Sequence, residues 1–499
     1  MTLSIRQDQI QASAGDTAWV MIASALVFLM IPGIGFFYSG MSRSKSSLTL
    51  IILCVLSLSV VSIQWTLFGY SLSFSDTSKN PMIGNFRYAL LLNVDDKLSN
   101  LAPTIPVIVF SSFQWQVHLI PSNIYLCFNS FKLTHSICAY SMFAGITPAI
   151  TMGSVAERIR IIPCIIYFFI WTTFVYDPVA YWNWSEKGWL YKLGALDFAG
   201  GTVVHITSGF SALCFAHFVG KRKDYDVGET KPSNILNVAI GAVLIWFGWF
   251  GFNAGSSYAA DTRAGYALYT TNISAAAGGM TMMMISYSRT QKLSLVQFCS
   301  GVVAGLVGIT PAAGFVDFWA AIVIGIVTPA TCYFASTLKH KMGVDDSLDV
   351  FALHGIGGTV GSVLTGIFAS SSVVKHGSGT IIKGGWINRN WIQVPIQLLS
   401  CVSVIAWTIV VTFAILYIID STKIFKLRLE KSQELLGVDI SEMGEYGYDL
   451  ANIIESDQTS CVGSQLSVNG KIYELGKPNE HQSLEVDLST KVEKQNNQN

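Results

Sequence analysis

This sequence is poor in charge. Asp, Glu, Lys and Arg make up only 12% of its 499 residues, against about 25% in a soluble domain. Residues 19–38 carry none at all. The 31 basic and 31 acidic side chains cancel to a net charge of zero, which argues against a nucleic-acid partner. Nine cysteines are present, mostly inside apolar runs, without Cys-x-x-Cys or Cys/His ligand spacing. They read as small buried hydrophobes, and no metal or disulfide framework is expected. No basic segment precedes the first apolar run, so no cleaved signal peptide is expected. No nucleophile–base set and no His-Glu metal spacing appears, so an intramembrane enzyme is the poorest class and no cofactor is expected.

What the sequence does have is length in apolar runs. Segments of bilayer-crossing size fall at about 18–40, 48–72, 104–155 (interrupted), 161–182, 198–219, 235–258, 264–287, 294–312, 316–338, 349–369 and 391–419. The fold class is therefore an all-α polytopic membrane protein with eleven transmembrane helices. One set of alternate loops carries Arg43/Lys45, Arg158/Arg160, Lys221-Arg222-Lys223, Arg289/Lys292 and Lys339/Lys341. The positive-inside rule makes that set cytoplasmic. The order is then an extracellular N-terminus (1–17), a membrane domain (18–419), a cytoplasmic tail segment (420–455) and a polar stretch read as disordered (456–499).

Ionisable side chains inside a membrane helix cost several kcal/mol unless paired or hydrated, so the exceptions carry information. His205 lies in "LDFAGGTVVHITSG" and His354 in "DDSLDVFALHGIGGTVG". Each by itself reads as a hydrogen-bonded core histidine. Two of them in similar Gly-rich settings, one per half of the chain, point to a shared site. Helices 1–5 and 6–10 would then form an inverted repeat with that site at the midplane. Asp197 and Asp349 are the acidic partners of these segments, and Asp197 sits where it would cap a helix. Trp182, Trp184 and Trp189, and the "WFGWFGFNAGSS" stretch, supply aromatics. They suit an interfacial belt or a cage for a cation; composition does not choose.

Taken together these segments resemble the ammonium transporter, methylammonium permease and Rhesus family. The likeness is carried by "GDTAWVMIASALVFLMIPGIGFFYSG" (15–40), "GITPAITMGSVAERIR" (145–160), "LDFAGGTVVHITSG" (196–209), "WFGWFGFNAGSS" (246–257), "DDSLDVFALHGIGGTVGSVLTGIFA" (345–369) and "GVDISEMGEYGYDL" (437–450). "FVYDPVAYWNW" and the tail point to the fungal permease branch. The resemblance implies a plasma-membrane homotrimer with one pore per subunit, taking up ammonium, with methylammonium as an analogue. It implies that Trp184 and Ser256 bind the ion at an outer mouth that Phe113 helps to line. Phe143 and Phe252 would stack as a gate, and His205 and His354 would share a proton in the pore. Asp197 would support the outer site without touching the ion. A site that strips a proton would reject potassium, which has none to lose.

Two rival readings remain. Some fungal relatives act as ammonium sensors controlling growth, and a Rhesus-type gas channel would pass neutral ammonia. Trp184 and Ser256 speak against the second, because a cation site is wasted on a gas. In the tail, Gly437, Gly444 and Gly447 suggest turns with positive φ, and Gly444→Asp is expected to disturb docking against the cytoplasmic face.

One stretch fits neither membrane nor loop. Residues 115–141 contain His118, Pro121, Asn123, Asn129, Lys132 and His135 and interrupt the third span. In the family pattern "FQ" runs almost directly into "MFAGITPA"; here Gln114 and Met142 flank the interruption. We read it as a translated intron; the other reading is a real lineage-specific insertion that loops out. Trp115-Gln116-Val117 can be written TGG-CAA-GTN and Ser141 AGC, so splicing would leave one Cys. The helix is expected to stop near Gln114 and resume near Met142, with Phe143 beside Phe252 and Phe113 displaced.

Overall fold

The computed structural model describes residues 12–94, 98–114, 143–223, 225, 231–377, 381–445, 447, 465–468 and 471–474. The suspected intron 115–141 lies outside the described residues. The helices run in chain order as α1 (Ala14–Met41), α2 (Ser44–Phe74), α3 (Val107–Gln114), α4 (Phe143–Val155), α5 (Ile161–Leu193), α6 (Gly201–Val219) and α7 (Ile235–Gly255). They continue as α8 (Thr262–Thr290), α9 (Leu295–Ile309), α10 (Phe318–Met342), α11 (Phe351–Phe368) and α12 (Gln393–Ser421), with a short α13 (Lys431–Leu436). Eight of these helices are long and apolar enough to cross a membrane. The shorter α4 and α9, and the long but less apolar α8, complete a set consistent with eleven crossings if α3 and α4 count as one interrupted element.

Helix starts are set by short polar side chains. Ser13, Asn234, Asp261 and Ser294 each accept a hydrogen bond from the backbone N–H three residues on, capping α1, α7, α8 and α9. Small residues set the packing. A Cβ on Gly209 would lie 2.0 Å from the Gly355 nitrogen, so α6 and α11 cross backbone to backbone only because both positions are glycine. Around that crossing each of the two helices passes through one π-helical turn, Gly201–Ile206 and Phe351–Ile356. Such turns are rare and concentrate at functional sites.

The expected cytoplasmic loops share one face. Glu157 binds Arg43 and Arg222, and Arg222 pairs with Asp345 at 2.9 Å. Burial alone would raise the Glu157 pKa, but Arg222 and Arg43 hold the carboxyl below its ordinary value. The buried Arg158 guanidinium donates to the carbonyls of Gly220, Ala156, Ser154 and Asp345. The tail packs on this face through helix N-termini. Asp439 accepts from Leu48 N, Thr49 N and Thr49 Oγ1 at the start of α2. Glu442 accepts from Ile161 N at the start of α5 and pairs with Arg160 at 3.3 Å.

Residues 448–499 form a separate unit. Its described part is an antiparallel hairpin, β1 (Gln465–Val468) with β2 (Lys471–Glu474), Gln465 opposite Glu474. These strands fall within the stretch read as disordered from composition; the rest of that stretch lies outside the described residues.

Candidate functional site

The two histidines meet. His205 Nδ1 and His354 Nδ1 are 3.2 Å apart, both side chains buried. At that distance one nitrogen carries a hydrogen and the other does not. His205 also stacks on Trp249, centroids 5.3 Å apart and planes 20° apart. Its Nε2 has no hydrogen-bond partner among the described residues. The pair lines a cavity of about 20 Å³ whose other walls include Met30, Ile34, Ile146 and Val303. One water-sized molecule needs roughly 10–15 Å³, so this space takes a molecule the size of water or ammonia between apolar walls.

Phe252 also lines that cavity. Its ring lies 4.1 Å from Phe143, and neither is exposed. The two rings pack together at one end of the cavity. On the other side opens a vestibule of about 340 Å³ lined by Trp184, Asp197, Phe198, Ser256, Tyr258 and Arg263, among others. The Trp184 indole N–H donates to the Asp197 carbonyl at 2.9 Å, which fixes the ring, and the ring stands edge-on to Phe143 at 5.9 Å. The Ser256 hydroxyl donates to the Phe252 carbonyl at 2.9 Å. Its hydrogen is therefore engaged and its oxygen lone pairs are left for an incoming donor.

Phe113 is placed differently from its expected role. It is fully buried and packs behind the vestibule, 5.1 Å from Phe143, 5.9 Å from Tyr258, and directly under Gly255. It packs against the Phe143 ring, and the expected displacement of Phe113 is not seen.

Asp197 caps α6. Its carboxylate accepts from the N–H groups of Gly200, Gly201, Thr202 and Val203 and from the Thr202 hydroxyl, at 2.6–3.2 Å. Burial nevertheless raises its pKa against those hydrogen bonds. The counterpart in the second half is Asp346, and the expectation of Asp349 is corrected here. Asp346 accepts from Val350 N at 3.1 Å and Phe351 N at 2.8 Å, at the turn that carries His354. Asp349 instead pairs with Lys339 Nζ at 2.7 Å and has φ +58°. The signal that could have separated them was spacing: Asp197 precedes His205 by eight positions, and Asp346 precedes His354 by the same eight.

Sequence reasoning also missed Arg263. Its guanidinium sits between the Phe198 and Phe315 rings, 4.9 and 5.0 Å from their centroids, and donates to the Gly314 carbonyl at 3.0 Å. It reads as a loop charge in the sequence, yet it stiffens the vestibule wall. No cluster of His, Cys, Asp or Glu suited to a metal occurs among the described residues.

Comparison with known proteins adds an independent finding. The model of the Ammonium Transporter Family matches residues 18–448. Ammonium transporter 1 of Schizosaccharomyces pombe is 42% identical over 435 residues, covering 87% of this chain and 82% of the relative. Ammonium transporter MEP2 of Saccharomyces cerevisiae is 41% identical over 447 residues, covering 88% and 84%. The crystal structure of Candida albicans Mep2 superposes with a TM-score of 0.76 at 38% identity, covering 90% of this chain and 93% of that one.

Proposed function

The chain belongs to the Ammonium Transporter Family, and from that premise we propose that it takes up ammonium through the vestibule, gate and twin-histidine cavity described above. The single observation that carries the reading is the His205–His354 contact of 3.2 Å inside an apolar, ammonia-sized cavity beneath two closed phenylalanine rings.

The steps follow from the geometry. Ammonium enters the vestibule and presents its face to the Trp184 ring, whose quadrupole attracts a cation. One ammonium N–H donates to the Ser256 oxygen. Asp197 holds Trp184 through its carbonyl and holds α6 through its carboxylate, without a direct contact to the ion. The charged ion gains nothing from the apolar cavity beyond the gate, so it gives up a proton and passes as ammonia. The Nδ1–Nδ1 contact forces opposite tautomers in the two neutral rings. One ring then offers Nε2 as an acceptor and the other offers Nε2–H as a donor. Ammonia passing between them finds both partners in turn, and the proton has a relay. Potassium keeps its charge and is rejected.

The protein is a multi-pass membrane protein. Its place in the plasma membrane, an extracellular N-terminus, a cytoplasmic C-terminus and a homotrimeric state in the lipid bilayer belong to the same proposal, supported by the gathering of the basic loops on one face with the tail. The test is expression in cells that lack their own ammonium permeases. Growth on low ammonium, uptake of methylammonium and an ammonium-induced inward current are expected. A protein present at the cell surface that gives none of the three ends the proposal; uptake without current favours a gas channel.

A further inference from the structure

One hydrogen bond orients the aromatic ring of the vestibule, from Trp184 Nε1–H to the Asp197 carbonyl. On its C-terminal side Asp197 is anchored by its own carboxylate at the start of α6. On its N-terminal side runs the segment 194–197, which joins α5 to α6 and lines the vestibule. No helix satisfies the backbone of that segment. Leu196 is buried, and buried peptide groups need partners.

Those partners come from α12. Gln393, Gln397 and Ser400 stand at i, i+4 and i+7 on one face of that helix, all buried. Gln397 pairs with Leu196 as one strand residue pairs with another. The Leu196 N–H donates to Oε1 at 2.8 Å, and Nε2 donates to the Leu196 carbonyl at 2.7 Å. Nε2 also donates to the Ser362 carbonyl at 3.2 Å, and Oε1 accepts from Gln393 Nε2 at 3.4 Å. All four hydrogen-bonding positions of the amide are used, which holds the side chain in one orientation. Gln393 donates in addition to the Gly194 carbonyl at 2.9 Å. The Ser400 hydroxyl donates to Asn183 Oδ1 at 3.2 Å, and Asn183 Nδ2 donates to the Val179 carbonyl of α5. The helix thus grips the residue immediately before each member of the Trp184–Asp197 pair. Gln397 itself does not line the vestibule.

We propose that Gln397, with Ser400 beside it, is the positioning residue of the ammonium site; this rests on the reading of the vestibule given above. Gln397 sets where Leu196, and with it the Asp197 carbonyl, stands relative to Trp184. Ser400 sets the Trp184 end through Asn183. Without the Gln397 amide, the Leu196 N–H and C=O lose their partners and the segment moves to find others. The Asp197 carbonyl then no longer holds the Trp184 ring at the angle that presents its face to the ion. Phe143, Phe252, His205 and His354 stand on α4, α7, α6 and α11, outside this segment. The loss therefore falls on affinity and not on turnover.

The test has two arms, both on the full chain. The first follows amide hydrogen exchange of the purified protein by mass, since the Leu196 N–H is itself one of the bonds at issue. Gln397→Leu should speed exchange in peptides covering 190–199 about tenfold, the order of one lost hydrogen bond, and leave peptides of α7 unchanged. The second measures methylammonium uptake per surface molecule in cells lacking their own ammonium permeases. Gln397→Leu should raise KM about tenfold, the order of one lost cation–π contact, with the maximal rate unchanged. Gln397→Glu, as a carboxylate, keeps an acceptor for the Leu196 N–H but offers no donor to its carbonyl, and should fall between in both arms. Thr408→Val is the control: it removes a buried hydroxyl that has no hydrogen-bond partner among the described residues, about three turns along α12, and should match the unaltered protein. If Gln397→Leu does not reach the surface, Gln397→Glu and Ser400→Ala carry the comparison. The proposal is overturned by unchanged exchange at 190–199, by a lower maximal rate at unchanged KM, by faster exchange throughout α7 as well, or by an equal effect of Thr408→Val. An unaltered protein that takes up no methylammonium ends the transport reading instead, and the exchange arm still decides whether Gln397 holds the segment.

Discussion

Phe113 and Phe143 meet edge to face, ring centroids 5.1 Å apart, although α3 ends at Gln114 and α4 begins at Phe143 with the suspected intron between them in sequence. The two halves of the interrupted span therefore meet through these two rings. A chain in which a single Cys replaces residues 115–141 should restore full growth on low ammonium to cells lacking their own permeases. The 499-residue form should support growth poorly or be retained during folding. Full growth from the longer form, with peptides from 115–141 detected by mass, would show the segment to be real.

The histidine pair makes the selectivity claim testable. His354→Ala removes one end of the 3.2 Å contact and should lower ammonium current at least tenfold. His205→Glu places in the cavity a carboxylate that can accompany an ion, so potassium current should appear. A potassium current in that variant indistinguishable from zero would mean that the relay is not what rejects potassium.

Asp197 accepts five hydrogen bonds through one carboxylate. Asn offers one acceptor oxygen and turns an NH2 toward donors. Each buried donor left unsatisfied costs about 1–3 kcal/mol. Asp197→Asn should lower the thermal midpoint and raise the KM for methylammonium, because the Trp184 ring loses its fixed carbonyl. A raised KM at unchanged stability would confine the role of Asp197 to the vestibule.

Asp346 has a folded-state pKa pushed up to about 6, chiefly by burial. Between the unfolded aspartate value and that pKa the native state binds more protons than the unfolded chain. Stability from this group therefore falls as pH rises across that window and is lowest above it, by a term on the order of 3 kcal/mol. Asp346→Asn should flatten the thermal-melting profile between about pH 4 and 6. A variant profile with the original slope would assign the pH dependence elsewhere.

In the tail the sensitive glycine is Gly437 rather than Gly444. Gly437 has φ +110°, and a Cβ there would lie 2.7 Å from the Lys45 carbonyl oxygen and Cβ. Gly444 has φ +69° with open space around the Cβ position, and Asp tolerates the left-handed region better than most residues. Gly437→Ala should expose the tail to limited proteolysis and lower transport. Gly444→Asp should be milder on both measures, and the reverse order would show that Lys45 does not hold the tail.

Much was legible before any coordinates. Apolar runs of bilayer length, the alternation of basic loops and the two Gly-flanked histidines are local features, because a membrane helix satisfies its own backbone and advertises itself by composition. The family motifs added the residues proposed for the gate and the vestibule. Other features were settled only by the way the chain closes on itself. That Asp346 and not Asp349 caps the His354 turn depends on a backbone path in which Asp349 adopts φ +58° and turns its carboxylate to Lys339. That Phe113 supports the gate from behind depends on Gly255 admitting its ring. The Arg263 stack on Phe198 and Phe315 and the His205–His354 contact arise where segments distant in sequence meet. Such meetings leave no periodicity in the sequence, since each contact is chosen by the volume and hydrogen-bonding capacity that the surrounding helices leave open.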